Sequence, residues 1–228
     1  MSRSLQIALR LIFFALALGS ILSYSQSPTQ TPAVVTFTLD FPNSEPEHYS
    51  IRVQSDGAAH YQSSGRLSVD SADTGDTDNF DLDFTLAAPT RLKIFDLAAK
   101  AGYFQKDVDA HRKNVAFSGK KTLAYKDEQR TGESTYNYSS NSAVDELTSL
   151  MESLSVTLEF GHRLQYDRRY QKLALDDELK HMEDLDRNHE LVEVRAIQQV
   201  LDQIIADPGV INVTRARAQR LLDHAPVH

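Results

Sequence analysis

His162, His181 and His189 invite a metal or acid–base reading, because all three fall in stretches with helical spacing. His181 and His189 are eight positions apart, or ~80° around a helix axis at about 100° per residue, so they share no face well. Glu190 follows His189 as in a zinc-protease helix, but Leu191, Val192 and Glu193 come next, and no second histidine completes the pair. That spacing favours solvated or partly packed imidazoles over metal ligands.

Carboxylates are the other dense resource. "DSADTGDTDNFDLD" carries Asp70, Asp73, Asp76, Asp78, Asp81 and Asp83, which raises a calcium loop. Counted from Asp76, Phe80 stands where the fifth loop position needs an oxygen, and Asp81 where the sixth needs glycine. The register fails, and a hydrated acidic loop running into a strand is expected instead. No G-x-S-x-G elbow and no G-x-G-x-x-G phosphate loop occurs. Gly119-Lys120-Lys121-Thr122 ends like a nucleotide-binding loop, but Asn114 stands where its first glycine belongs. Arg215, Arg217 and Arg220 read as solvated charges near a helix end. Tyr125, Tyr136 and Tyr138, on two alternating segments, are the candidate binding face. The residues point to no catalytic set, no metal and no cofactor.

The elements that position these groups follow from periodicity. Residues 1–25 hold Arg3, Arg10 and the apolar run "LIFFALALGSIL", then small residues, the pattern of a secretory signal. That run is short for a membrane span, which needs about 20 residues, so membrane association is expected only if the signal is uncleaved. Residues 26–33 read as a polar linker. In residues 34–41, Val35, Phe37, Leu39 and Phe41 alternate as a half-buried strand.

"SIRVQSDGAAHYQ" reads as a hairpin. A three-residue turn, Ser55-Asp56-Gly57, sets Val53 opposite Ala59 and Ile51 opposite Tyr61, keeping apolar side chains on one face. Phe80, Leu82, Phe84 and Leu86 alternate in a further strand. A helix follows from Pro89, with Leu92, Phe95 and Ala98 or Ala99 inward and Gly102 just past its end. "KTLAYKD" and "STYNYS" are two more strands joined by a loop containing Gly132. From Ser142, with Asp145 as a capping partner, Val144, Leu147, Met151, Leu154 and Leu158 form a core-facing stripe that Tyr166, Tyr170 and Leu173 extend. Gly161 is a point of interruption. Leu175, Leu179, Met182 and Leu185 mark another helix, with Asp176–Lys180 and Glu183–Arg187 pairs outside. Val194 to Ile205 forms the next, stopped by Asp207-Pro208-Gly209, and Asn212 caps the last.

The expected fold is α+β: an N-terminal antiparallel sheet with one packed helix over residues 34–141, then a helical region over 142–228. The chain has 24 Lys plus Arg against 32 Asp plus Glu, a net charge of −8. Removing residues 1–25 takes away two arginines and no acid, which leaves 22 bases against 32 acids, or −10. Such a surface repels polyanions, so neither nucleic acid nor anionic lipid headgroups are expected partners. No cysteine is present, which excludes disulfide, thiolate and zinc–sulfur chemistry, and about 200 residues bury a core without staples.

The strand before "SDG", the strand ending "YQSSG", the helix "IFDLAAKAGYF" and the tyrosine-bearing hairpin together resemble a domain of uncharacterised exported bacterial proteins, over roughly residues 47–160. The resemblance implies a small antiparallel sheet with a helix on one face, and no catalytic residues. The expectation is an exported, periplasmic or secreted, non-enzymatic binding or scaffold module for an unknown protein or small ligand of the cell envelope. The alternative is an envelope hydrolase whose carboxylates or histidines are brought together by the fold.

Overall fold

The computed structural model describes residues 31–65 and 78–226. The expected signal, most of the linker and the acidic positions Asp70, Asp73 and Asp76 lie outside them. Residues Pro32–His228 form one compact unit. The buried apolar residues of its strands and helices belong to one hydrophobic cluster.

Alternation produces the sheet. In β1 (Val34–Asp40), Val35, Phe37 and Leu39 are buried and their neighbours half-buried. β2 (His48–Gln54) and β3 (Ala58–Gly65) repeat this with Tyr49, Ile51, Val53, Ala59 and Tyr61. The β2–β3 register is the one the three-residue turn demands, with Val53 opposite Ala59 and Ile51 opposite Tyr61. Gly57 takes φ +103°, and Asp56 Oδ1 accepts from Ala58 N at 3.0 Å, so glycine and aspartate each serve the turn. β4 (Asp78–Thr85), β5 (Lys120–Lys126) and β6 (Thr131–Tyr136) complete a six-stranded antiparallel sheet in the order β4-β3-β2-β1-β5-β6. One face is covered. The other carries polar pairs such as Thr122–Thr135, together with His60, whose imidazole is paired with Asp81 and Asp83.

α1 (Ala88–Lys100) starts with Pro89 in its first turn and buries Ile94, Leu97 and Ala98. The expected face is corrected here, because Leu92 is 63% exposed. After Gly102 the chain turns back and buries Phe104 completely. The loop between β5 and β6 also differs from expectation. Asp127 Oδ1 accepts from Gln129 N and Arg130 N and makes the turn by itself. Gly132 then lies inside β6, where a Cβ would overlap the Tyr103 carbonyl. The strand ends at Tyr136, so Tyr138 is not on it.

α2 (Ser142–Tyr170) is capped by Asn141, whose side chain accepts from Ala143 N at 3.0 Å. Ser142 is therefore the first helical residue and not the cap. Val144, Leu147, Met151, Leu154 and Leu158 are all fully buried, as their spacing predicts. Gly161 does not interrupt the helix. It lets the helix approach Ile197, whose Cγ2 a Cβ at residue 161 would overlap. Tyr166, Tyr170 and Leu173 do not extend the stripe, since Leu164 takes the buried position and Leu173 is 88% exposed.

α3 (Leu175–Arg187), a 3-10 turn at Val194–Ile197, α4 (Gln198–Ala206) and α5 (Asn212–His224) complete five α-helices among the described residues. Asn212 opens α5, and Ile211 occupies the cap position. Arg217 is largely withdrawn from solvent and Arg220 is half-exposed, and both have carboxylate partners on α3. Arg217 pairs with Asp176 and Glu183 and Arg220 with Glu183, clasping α5 to α3. Asp176 and Glu183 thus choose partners across helices over Lys180 and Arg187.

Candidate functional site

One register row crosses the whole sheet: Phe80, Ser63, Tyr49, Leu39, Lys121 and Tyr136, from β4 to β6. α2 lies across it. From Thr148 to His162 a helix rises ~21 Å, close to the ~24 Å of five strand spacings. Strands from β6 to β4 therefore meet successive positions along about four turns of the helix. Beside the apolar stripe of α2 runs a second one, Thr148, Glu152, Ser155, Glu159 and His162, at steps of three and four. These polar side chains face Tyr136, Lys121, Tyr61, Ser63 and Phe80 of the sheet.

At the β6 end, Thr148 Oγ1 donates to Val144 O at 2.7 Å, so the 2.5 Å contact with Tyr136 has the phenol as donor. At the β3 end, Tyr61 OH donates to Glu159 Oε1 at 2.6 Å, and Ser155 Oγ accordingly donates to Tyr61 OH at 2.9 Å. Ser63 Oγ also donates to Glu159 Oε1, at 2.6 Å. The row ends where His162 stacks on Phe80 with ring centroids 4.2 Å apart. Its Nδ1 is 3.7 Å from Glu159 Oε2, and its Nε2 is 3.5 Å from Asp78 Oδ2. Burial disfavours the charged form of Glu159, yet the adjacent His162 ring and hydrogen bonds from Ser63 and Tyr61 outweigh it and hold the carboxyl below its usual value. Burial pushes the Tyr61 and Tyr136 phenols well up. They serve as neutral donors.

The row opens to solvent at Lys121. This ammonium sits on the covered face because Lys121 shares parity with Leu123 and Tyr125, and its residue is 5% exposed. Nζ donates to Ser118 O at 3.0 Å and to Ser118 Oγ at 2.9 Å. Glu152 Oε1 stands 3.9 Å away, near enough for attraction and too far for a hydrogen bond. Burial lowers the lysine below its ordinary value, and the Glu152 charge partly opposes this. Burial raises Glu152, with Lys121 opposing and Asp145 adding to it. The two groups thus move toward each other in proton affinity. They line a cavity of about 200 Å³ with Ser118, Tyr136, Asn137, Tyr138, Ser139, Asp145, Thr148 and Ser149.

The candidate tyrosines divide between two places. Tyr136 and Tyr138 reach the cavity, Tyr136 by its buried phenol and Tyr138 by a ring that is 38% exposed and 5.3 Å from the Arg112 guanidinium. Tyr125 is elsewhere. Its hydroxyl donates to Asp127 Oδ2 at 2.8 Å, and Tyr103 and Arg130 enclose the ring. Tyr125 and Tyr136 lie four registers apart, so the three do not form one face. Lys121 and Glu152 escaped sequence reasoning, although the parity of "KTLAY" put a lysine on the buried side.

A larger groove of about 320 Å³ lies between α3 and α5, but its charges satisfy one another, Glu183 with Arg220 and Asp186 with His224. Among the described residues, no group of three or more His, Cys, Asp or Glu is placed to hold a metal ion. No helix among them is long and apolar enough to cross a membrane. No protein-family model matches the sequence, and no curated protein does either.

Proposed function

We propose that this chain is an exported, non-enzymatic binding module, and that the Lys121–Glu152 cavity takes a small hydroxyl-rich ligand. The single observation carrying this reading is that a buried ammonium and a displaced carboxylate share a cavity walled by hydrogen-bonding side chains. Two of the three Lys121 N–H groups are held by Ser118, which orients the third without saturating the ammonium. Asp145 and Glu152 supply acceptors, and the exposed Tyr138 ring offers a flat apolar wall for a sugar-like carbon face. At about 200 Å³ the site is below the ~300–1,000 Å³ typical of drug-sized ligands, which suits a single ring. Export rests on the charged-then-apolar pattern of residues 1–25.

A thermal-shift and calorimetric screen of monosaccharides, disaccharides and polyols tests the proposal. At least one member should bind the wild type, and Lys121→Met and Glu152→Gln should each weaken it tenfold or more while remaining folded. A panel that binds nothing, or binds both variants equally, would overturn it.

A second reading rests on one distance. Ser118 Oγ is 2.9 Å from Lys121 Nζ, and a lysine whose proton affinity is lowered by burial can accept a serine proton and release an acyl-transfer nucleophile. This hydrolase would use serine and lysine in place of the carboxylates or histidines expected from sequence. Labelling of wild type but not Ser118→Ala by a fluorophosphonate probe would favour it over simple binding.

A further inference from the structure

Past His162, the end of α2 packs against the C-terminal helices. There Gln165, Arg168 and Arg169 of α2 and Gln199, Val200 and Gln203 of α4 line a cavity of about 160 Å³. The lining contains two guanidinium groups, three amides and no carboxylate. Its side chains offer many N–H donors, and their only acceptors are the three amide carbonyls.

Arg168 Nε is buried and has no hydrogen-bond partner among the described residues. A buried donor of this kind is costly, more so on a charged group, and native structures leave few. The acid whose charge Arg168 influences is Asp207, and that carboxylate is engaged elsewhere. It accepts from Lys172 Nζ at 2.6 Å and from Gly209 N at 2.8 Å, and Lys172 is the first cause of its depressed proton affinity, with Arg168 a lesser one. Asp207 therefore leaves the guanidinium unneutralised by hydrogen bonding.

We infer that this cavity is a binding site for a small oxyanion of the phosphate class. Neighbouring guanidinium forks match tetrahedral oxyanions bidentately. Three amide side chains add donors, so the number of available N–H groups exceeds what the two oxygens of a single carboxylate can use. Val200, 3% exposed, supplies one apolar wall. The last turn of α2 tolerates two cations because its carbonyl dipoles favour positive charge. An anion arriving there relieves their mutual repulsion. The chain as a whole carries −8, so long-range steering works against anions, and affinity must come from short-range contacts. The site is independent of the Lys121 cavity.

Free phosphate and a phosphate-bearing lipid headgroup present the same chemistry, and the test separates them. Inorganic phosphate is titrated into the full chain by calorimetry and thermal shift against sodium chloride of equal ionic strength. Arg168→Gln and Arg169→Gln are run alongside, with circular dichroism confirming their fold. The expected result is a phosphate-specific rise in melting temperature, weakened about tenfold or more by each variant. In a parallel arm, flotation is measured with phosphatidylcholine vesicles containing one-fifth phosphatidate. Phosphate binding without flotation assigns a soluble phosphate. Flotation that inorganic phosphate competes away, and that Arg168→Gln abolishes, assigns a headgroup. Either result upholds the site. Phosphate acting no differently from chloride with no competable flotation, or affinity that survives in both variants, overturns it.

Discussion

Tyr61 OH donates a 2.6 Å hydrogen bond to Glu159 Oε1, joining a β3 residue to an α2 residue that lies 98 positions later. Ser63 donates to the same oxygen and Ser155 donates to the phenol, so this pair anchors helix to sheet through polar groups where an apolar contact is the usual solution.

Tyr61→Phe removes one of the two 2.6 Å donors that hold a buried carboxylate, and it should cost about 1–3 kcal/mol in urea unfolding. Glu159→Leu should cost a similar amount, and the double variant less than the sum, because each single change strands the other partner. Additive costs would show that the pair does not interact. Glu159 is held below its ordinary value, so its stabilisation is present above the unfolded pKa and lost as pH falls through the folded one. Wild type should therefore lose more stability than Glu159→Leu on acidification below about pH 4.5.

Gly161→Ala should destabilise despite the better helix propensity of alanine, worth about 1 kcal/mol. The new methyl would overlap Ile197 Cγ2, and Ile197 is 3% exposed in the core, so it cannot swing into solvent. A net loss of about 1–3 kcal/mol is expected from overpacking. Gly161→Ala introduced into an Ile197→Ala background should cost little or nothing, and equal losses in both backgrounds would refute the clash.

The sheet was legible because period-two alternation carries its own register: "SIRVQSDGAAHYQ" admits only one turn length that keeps Ile51, Val53, Ala59 and Tyr61 together. The apolar stripe of α2 was legible for the same reason at period 3.6. Its polar companion was not, because Thr148, Glu152, Ser155 and Glu159 have the composition of a solvated face, and the partners that permit their burial, Tyr136, Lys121, Tyr61 and Ser63, lie on distant strands. Tyr166 and Tyr170 kept the helical spacing but lost their partner when α2 outran β4, which no local pattern encodes. Leu92 misled for a related reason: α1 buries Ile94 and Leu97, and the choice between two apolar faces is made by the sheet beneath. Arg215 bonds locally to Asn212 of its own helix, but the partners of Arg217 and Arg220 lie on α3, a tertiary fact.

That α3–α5 clasp should be measurable. Glu183 receives both Arg217 and Arg220, and its side chain is 18% exposed. Glu183→Gln leaves two guanidinium groups facing each other and should cost about 1 kcal/mol at low salt. In about 1 M salt, where screening acts within ~3 Å, most of that difference should vanish. A loss independent of salt would mean that packing, not charge, is what the substitution disturbs.

Asp167 offers a change in the opposite direction. Its residue is 8% exposed, and its carboxyl is pushed up from 3.8 to about 6, by burial first and the Glu178 charge second, with Arg163 opposing. Above pH 6 the carboxylate is charged both in the folded chain, where burial disfavours it, and in the unfolded one. As pH falls through 6 the folded state takes up the proton first, so this group's contribution to stability rises until the unfolded chain also protonates near 3.8. Asp167→Asn fixes the neutral form. It should stabilise the protein by about 1–2 kcal/mol at about pH 8, and the advantage should shrink on acidification and be gone by about pH 4. Denaturant midpoints of the two proteins across that range decide the matter: a variant no more stable than wild type at alkaline pH would show that Arg163, not burial, governs the charge of Asp167.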